Sequence, residues 1–177
     1  MLAVMEEWRI SFRPAHLSDL LRFWRMNTAD VPRGWQALQN QTQLEELMSL
    51  FGNFHDACVR EIHAVTGHYV DESLSMTVDW RTTVHMLIQR QYRRLSAIEL
   101  RFEEVVGLRF SAPPPDYENI IYGAAFFIQD GILYWADNGA WTPESSSENT
   151  WVAARKVYWR DASEWMGARL HYRTNTD

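Results

Sequence analysis

One cysteine (Cys58), one lysine (Lys156) and no long apolar run set the first bounds on this chain. A lone cysteine excludes an internal disulfide and any cysteine-rich zinc motif. A reducing cytoplasm is therefore the expected compartment. No window approaches the ~18–20 apolar residues of a membrane-spanning helix. The opening "MLAVMEEWRISFRPAHL" lacks the basic-then-apolar pattern of a secretory leader. Also missing are a GxSxG elbow, a phosphate-binding P-loop, a GxGxxG turn and an HExxH pair. The sequence thus implies no cofactor and no metal.

Basic charge is scarce as well. The formal net charge is −6, and the densest basic cluster is "RQYRR" (Arg90, Arg93, Arg94). Nucleic-acid binders carry a basic stripe that neutralises phosphates, so nucleic acid is not an expected partner. An acidic surface instead suits a basic protein, whose approach it speeds.

What is present is aromatic. Aromatics make up 14% of the 177 residues, with nine tryptophans. Such rings favour strands and bury large areas. The length suits one domain, 1–177, with a helical or irregular part over 1–52 and a β-rich part over 53–172. "PAHLSDLLRFWRMN" puts Leu17, Leu20, Leu21 and Trp24 on one helical stripe behind Pro14. "TQLEELMSLF" predicts a second helix, with Thr42 as its cap, Leu44, Leu47, Met48 and Phe51 as its apolar face, and Gly52 as its end.

After Gly52 the period changes from 3.6 to 2. Strands are predicted in "ACVREIHAV", "ESLSMTVDW", "TVHMLIQRQY" and "AIELRFEEVVGLRF", where Ile98, Leu100 and Phe102 alternate with Glu99, Arg101 and Glu103. The phase slips after Phe102, which places a bulge near Glu103 and Glu104. Asp130 and Gly131 join two further strands in a hairpin. "WVAARKVYWRDA" is the last strand, and the tail "HYRTNTD" reads as frayed. The expected class is α+β: N-terminal helices packed on a mainly antiparallel β-sandwich or open β-barrel.

Two groups of side chains are candidate sites. "FGNFHDACVREIHAVTGH" concentrates His55, Asp56, Glu61, His63 and His68. As a plain strand, Val59, Glu61 and His63 share one face, and Cys58 turns inward as a small apolar residue. His55 and Asp56 then point to opposite sides and form no dyad. A pocket here needs His85 from another strand, and the competing reading is a solvated face beside arginines. The second group is "ILYWADNGAW", where Trp135, Asp137 and Trp141 place aromatics beside a polar turn, as protein hot spots do. A strand buried on both faces has the same appearance.

The stretches "FHDACVREIHAVTGHYVDESLSM", "LIQRQYRR", "IELRFEEVVGLRF" and "GILYWAD" resemble a family of small bacterial cytoplasmic proteins with an FHD motif, a VDE–LSM segment and an IQRQ strand. More loosely, "FGNFHD" followed by strands is similar to immunity proteins of bacterial toxin systems. That resemblance implies neutralisation of a toxin by binding, with no chemistry of its own. The leading expectation is thus a non-enzymatic binding protein whose exposed contacts include Trp135, Asp137 and Trp141. The alternative is a small-ligand binder or metal-dependent enzyme lined by His55, Asp56, Glu61, His63 and His85. A homodimer that buries the excess aromatics is a third expectation.

Overall fold

The alternation of Ile98, Leu100 and Phe102 becomes a central strand in a computed structural model that describes residues 31–32, 34–145 and 148–172. Val31 apart, these residues belong to one compact unit, Pro32–Asp177. The strands are β1 (Gln36–Leu38), β2 (Ala57–Thr66), β3 (Tyr69–Val70), β4 (Met76–Thr77), β5 (Thr82–Arg90), β6 (Ala97–Arg109), β7 (Ala125–Gln129), β8 (Ile132–Ala136) and β9 (Trp151–Asp161). Seven of them form one antiparallel sheet in the order β2-β5-β6-β9-β8-β7, with β1 paired to the second half of β9. β3 and β4 pair only with each other.

The mainly antiparallel sheet matches expectation, with seven strands in one hydrogen-bonded sheet that is not a closed barrel. At one edge, Ala57 of β2 forms a bridge with Ile121, in the segment before β7, where the Ile121 N–H donates to the Ala57 carbonyl at 2.8 Å. Among the described residues there is a single α-helix, α1 (Gln41–Leu50), so helices in the plural are not borne out. The helix expected over 17–24 lies outside the described residues. The boundary at residue 52 also shifts in meaning, because β1 adds a strand from the part read as helical or irregular.

Register sorts the two sheet faces. Val84, Met86 and Ile88 stand opposite Phe102, Leu100 and Ile98, which in turn meet Val157 and Trp159 across β9 for the first two. All are buried and form the core face, as are Leu44 and Leu47 of α1. Asn40, two residues before the expected Thr42, caps the helix by accepting from the Gln43 N–H at 3.0 Å. Its extended backbone and short carbonyl side chain are what a cap requires.

The chain leaves α1 through an unusual turn. Gly52, Asn53, Phe54 and Asp56 all have left-handed φ, between 53° and 61°. A Cβ on Gly52 would sit 2.9 Å from a guanidinium nitrogen of Arg90. That arginine is buried, donates to the Leu95, Arg94 and Leu50 carbonyls, and lies over the Phe51 ring. Gly52→Ala combines left-handed strain with displacement of this anchor, so it is expected to cost about 1–3 kcal/mol in urea denaturation.

Three local expectations resolve here. The hairpin at Asp130 and Gly131 is present, with φ of 51° and 74° as a type I′ turn demands. The slip in β6 is real but lies between Val105 and Gly107, and Glu104 just before it adopts φ 54°. A second bulge between Val59 and Glu61 escaped the sequence reading. It leaves Arg60 as the extra residue, so Val59 pairs with Ile88 of the core face while Glu61 and His63 join the opposite face. Cys58, expected to be buried, is exposed.

Candidate functional site

The non-core face of the sheet is built from three cross-strand rows. Glu61, Leu87, Glu99 and Arg160 make the first, His63, His85, Arg101 and Tyr158 the second, and Val65, Thr83, Glu103 and Lys156 the third. The outward positions of β6 thus meet their counterparts on β2, β5 and β9.

The first row is covered by the segment after β9. Trp165 and Tyr172 pack on Leu87, Ala97 and Ala162. Gln89 donates to the Trp165 carbonyl at 2.6 Å, and Glu61 accepts from the His171 and Tyr172 N–H groups at 2.7 and 3.3 Å. The reading of "HYRTNTD" as frayed is therefore corrected for His171 and Tyr172. Glu61 and the apolar strip beneath hold them down.

Glu99 lies under this cover, 1% exposed. It accepts from His85 Nδ1 at 2.8 Å, Arg160 Nε at 2.6 Å and the Tyr172 hydroxyl at 3.0 Å, with His171 Nε2 at 3.5 Å. Burial alone would raise the Glu99 pKa. The hydrogen bonds from His85, Arg160 and Tyr172, with the Arg160 charge, outweigh it and hold the carboxyl at about 2. Burial and the neighbouring Glu99 charge push the Tyr172 phenol well up, so it stays a donor. A carboxylate in this state is a poor proton acceptor near neutrality and acts as a fixed hub. Because it only accepts, His85 must donate from Nδ1. The Trp35 ring lies under the guanidinium groups of Arg101 and Arg160 at 4.5 and 4.6 Å. Arg101 also sits 3.0 Å from Glu103, an ion pair without hydrogen-bond alignment.

The residues expected to line a pocket are divided between two places. Glu61, His63 and His85 share this face, and the His63 ring stacks on Tyr172. His55 and Asp56 do not join them. They meet each other, with Nδ1 3.1 Å from the carboxylate, because Asp56 is in a left-handed turn and not in a strand. Among the described residues no group of three or more His, Cys, Asp or Glu is set to hold a metal ion. Cys58 is no activated thiol, since partial burial pushes its pKa up and Arg60 only partly opposes it.

The aromatic expectation is corrected as to exposure. Trp135 is 0% exposed and packs on Phe54, and Trp141 is buried against Phe127, Tyr134 and Trp151. Asp137 ties the end of β8 to β9, accepting from the Thr150 N–H at 3.0 Å. β8 buries Leu133 and Trp135 on one face and half-buries Ile132 and Tyr134 on the other.

Exposed apolar side chains gather elsewhere, on the arm formed by residues 67–81. Leu74, Met76, Val78 and Trp80 alternate with polar residues, yet Val78 and Trp80 are 75% and 69% exposed. The arm is held in shape without a core. At its tip, Asp71 accepts from the Ser73 and Ser75 N–H groups and from the Ser73 hydroxyl. At its base, the Gly67 N–H donates to the Arg81 carbonyl at 2.7 Å and Asp79 pairs with Arg81. A Cβ at Gly67 would lie 2.7 Å from the Asp79 side chain, so only glycine fits there. Hydrogen bonds from Arg81 hold the Asp79 carboxyl at about 2. An open cleft of about 420 Å³ adjoins this base, with Gly67, Asp79, Arg81, Glu103, Glu104 and Lys156 in its lining.

No helix among the described residues is long and apolar enough to cross a membrane. Comparison with protein-family models, curated proteins and solved structures gives no match.

Proposed function

We propose that this chain is a non-enzymatic binding protein whose contact surface is the 67–81 arm. The observation that carries this reading is the row Met76, Val78 and Trp80. Its spacing is that of a strand face meant for burial, and in the described residues nothing buries it. Contiguous exposed apolar surface on a shaped protrusion marks an interaction site. The Glu99 hub supports the same class, since it is saturated and ionised and offers no acid–base step. The resemblance to immunity proteins agrees with binding as the activity, and neutralisation of a toxin in the cytoplasm is the form it would take.

A photo-crosslinking residue in place of Val78 tests the assignment in cells. A stoichiometric adduct that disappears in Trp80→Ala is expected, and the melting temperature of Trp80→Ala should stay within about 2 °C of the parent because the side chain is exposed. Absence of any adduct at Val78 would sink the reading.

A second reading has one observation behind it. Glu99 orients His85 as a buried carboxylate orients a catalytic or ligating histidine. A transition metal near one equivalent in purified protein, lost in His85→Ala, would favour a ligand site on that face.

A further inference from the structure

We infer that the outer edge of β2, from Ile62 to Thr66, docks an extended segment of a partner protein that adds to the sheet as a further strand, its apolar side chains lying beside Ile62 and Ala64. This goes beyond the arm as contact surface and does not rest on it.

The Gly67 N–H donates to the Arg81 carbonyl at 2.7 Å, so these two residues face each other across the hairpin. By alternation Val65, His63 and Glu61 bond to Thr83, His85 and Leu87 of β5. Ile62, Ala64 and Thr66 lie between them and turn their N–H and carbonyl groups the other way, out of the sheet. β2 is the last strand on that side, and among the described residues no backbone partner reaches these groups. A row of outward donors and acceptors at this spacing is matched by one kind of ligand, an extended backbone.

The sheet protects its other outer strand. At β7 the Ile128 N–H donates to Gln41 Oε1 of α1 at 3.4 Å, and just before β7 the Ala124 N–H donates to the Asn53 carbonyl at 3.2 Å. The start of β2 is also closed, by the bridge of Ala57 to Ile121 and the bulge at Arg60. Exposed edges are ordinarily blunted by lysine, proline, other charges or bulges. Past Arg60 and Glu61, "IHAVT" has none of these.

Side-chain rows set the pattern of the occupant. Ile62 stands in the row of Met86, Leu100 and Trp159, and Ala64 in the row of Val84, Phe102 and Val157. The inner members are buried, whereas Ile62 is half-buried and Ala64 exposed. The core face therefore runs out at this edge in apolar side chains that a further strand would cover. On the reverse face His63 leads a polar row, with His85 and Arg101 behind it. A strand laid here meets apolar groups on one side and polar groups on the other, so its own residues should alternate in the same way.

Selection of random twelve-residue peptides on the immobilised full chain, followed by titration and amide hydrogen exchange with the enriched peptides, tests this. Enriched peptides are expected to carry apolar residues at alternate positions. They should slow exchange at Ile62, Ala64 and Thr66 by at least about tenfold and leave Glu61, His63 and Val65, already bonded to β5, unchanged. Ala64→Pro removes an outward N–H and no ladder bond, so it should raise Kd at least about tenfold, while Trp80→Ala leaves Kd within about twofold. N-methylation of alternate peptide amides should weaken binding as much, and that result needs no variant to fold. Peptides that depend on Trp80 and give no protection at β2 would overturn the edge and leave the arm as contact surface. No enrichment would overturn the inference. Slow exchange at Ile62, Ala64 and Thr66 in the free chain would do the same, because the edge would already be taken. A dimer in sedimentation that Ala64→Pro dissolves would give the edge to a second copy and overturn the separate partner.

Discussion

Replacing Glu99 by alanine is expected to destabilise the protein by about 3–5 kcal/mol at pH 7, the cost of leaving buried partners of a charge unmatched. Arg160 would lose its carboxylate, and the Tyr172 hydroxyl and His85 Nδ1 their acceptor. The loss should fall on the segment after β9, which Glu99 and Glu61 together hold on the sheet. Glu99→Gln keeps the shape and one acceptor oxygen, so it should cost less than alanine.

The same carboxylate makes stability depend on pH. Its folded pKa of about 2 lies below the ordinary 4.5. Its contribution is therefore fully present above about pH 4.5 and is lost as pH falls towards 2. The displacement corresponds to on the order of 3 kcal/mol. Urea denaturation at pH 7, 4 and 3 should show the parent losing stability across this window and Glu99→Gln losing much less. Equal acid sensitivity in the two proteins would show that Glu99 is not the linked group.

The second large effect is at Trp135. Removal of a fully buried indole from the cluster with Phe54 leaves a cavity, and Trp135→Ala should cost about 3–5 kcal/mol. In a chain of this size that is a fall of roughly 10 °C in melting temperature. Trp80→Ala, with the ring in solvent, should shift stability by under about 0.5 kcal/mol. The pair is a direct comparison of core and surface tryptophan in one protein. If Trp135→Ala melted with the parent, the residue would not be core and its place in a binding surface would reopen.

Both residues show where the sequence was legible and where it was not. The alternation in β6 assigned Ile98, Leu100 and Phe102 to the core and Glu99 to the other face, and register bears this out. Asp130 and Gly131 specified their own turn, because two successive left-handed residues admit few alternatives. What alternation cannot supply is the cover on the outward face. Glu99 looked solvated because His171 and Tyr172, which reach it, stand more than seventy residues away in a tail with no periodicity of its own.

The arm failed in the opposite sense. Leu74, Met76, Val78 and Trp80 carry a pattern that ordinarily means a buried face, and periodicity reports which side is apolar, not what lies against it. At β2 one extra residue, Arg60, inverted the faces downstream, and nothing in "CVREIH" marks it. His55 and Asp56 were misread for a related reason. Left-handed conformations at non-glycine residues are set by their surroundings.

The pairing of β1 with β9 bears on the time the chain needs to fold. Gln36 finds its partner at Trp159, and Ile98 finds Asp161. Each contact closes a loop of many tens of residues, whose entropy must be given up before the pairing returns anything. Among the described residues, the β7–β8 turn, the β5–β6 connection and the 67–81 arm are local enough to form early. A sheet assembled mainly from distant segments belongs to the slow class, with folding on the order of milliseconds to seconds. Until β9 inserts between β6 and β8, the central strands stand with open edges.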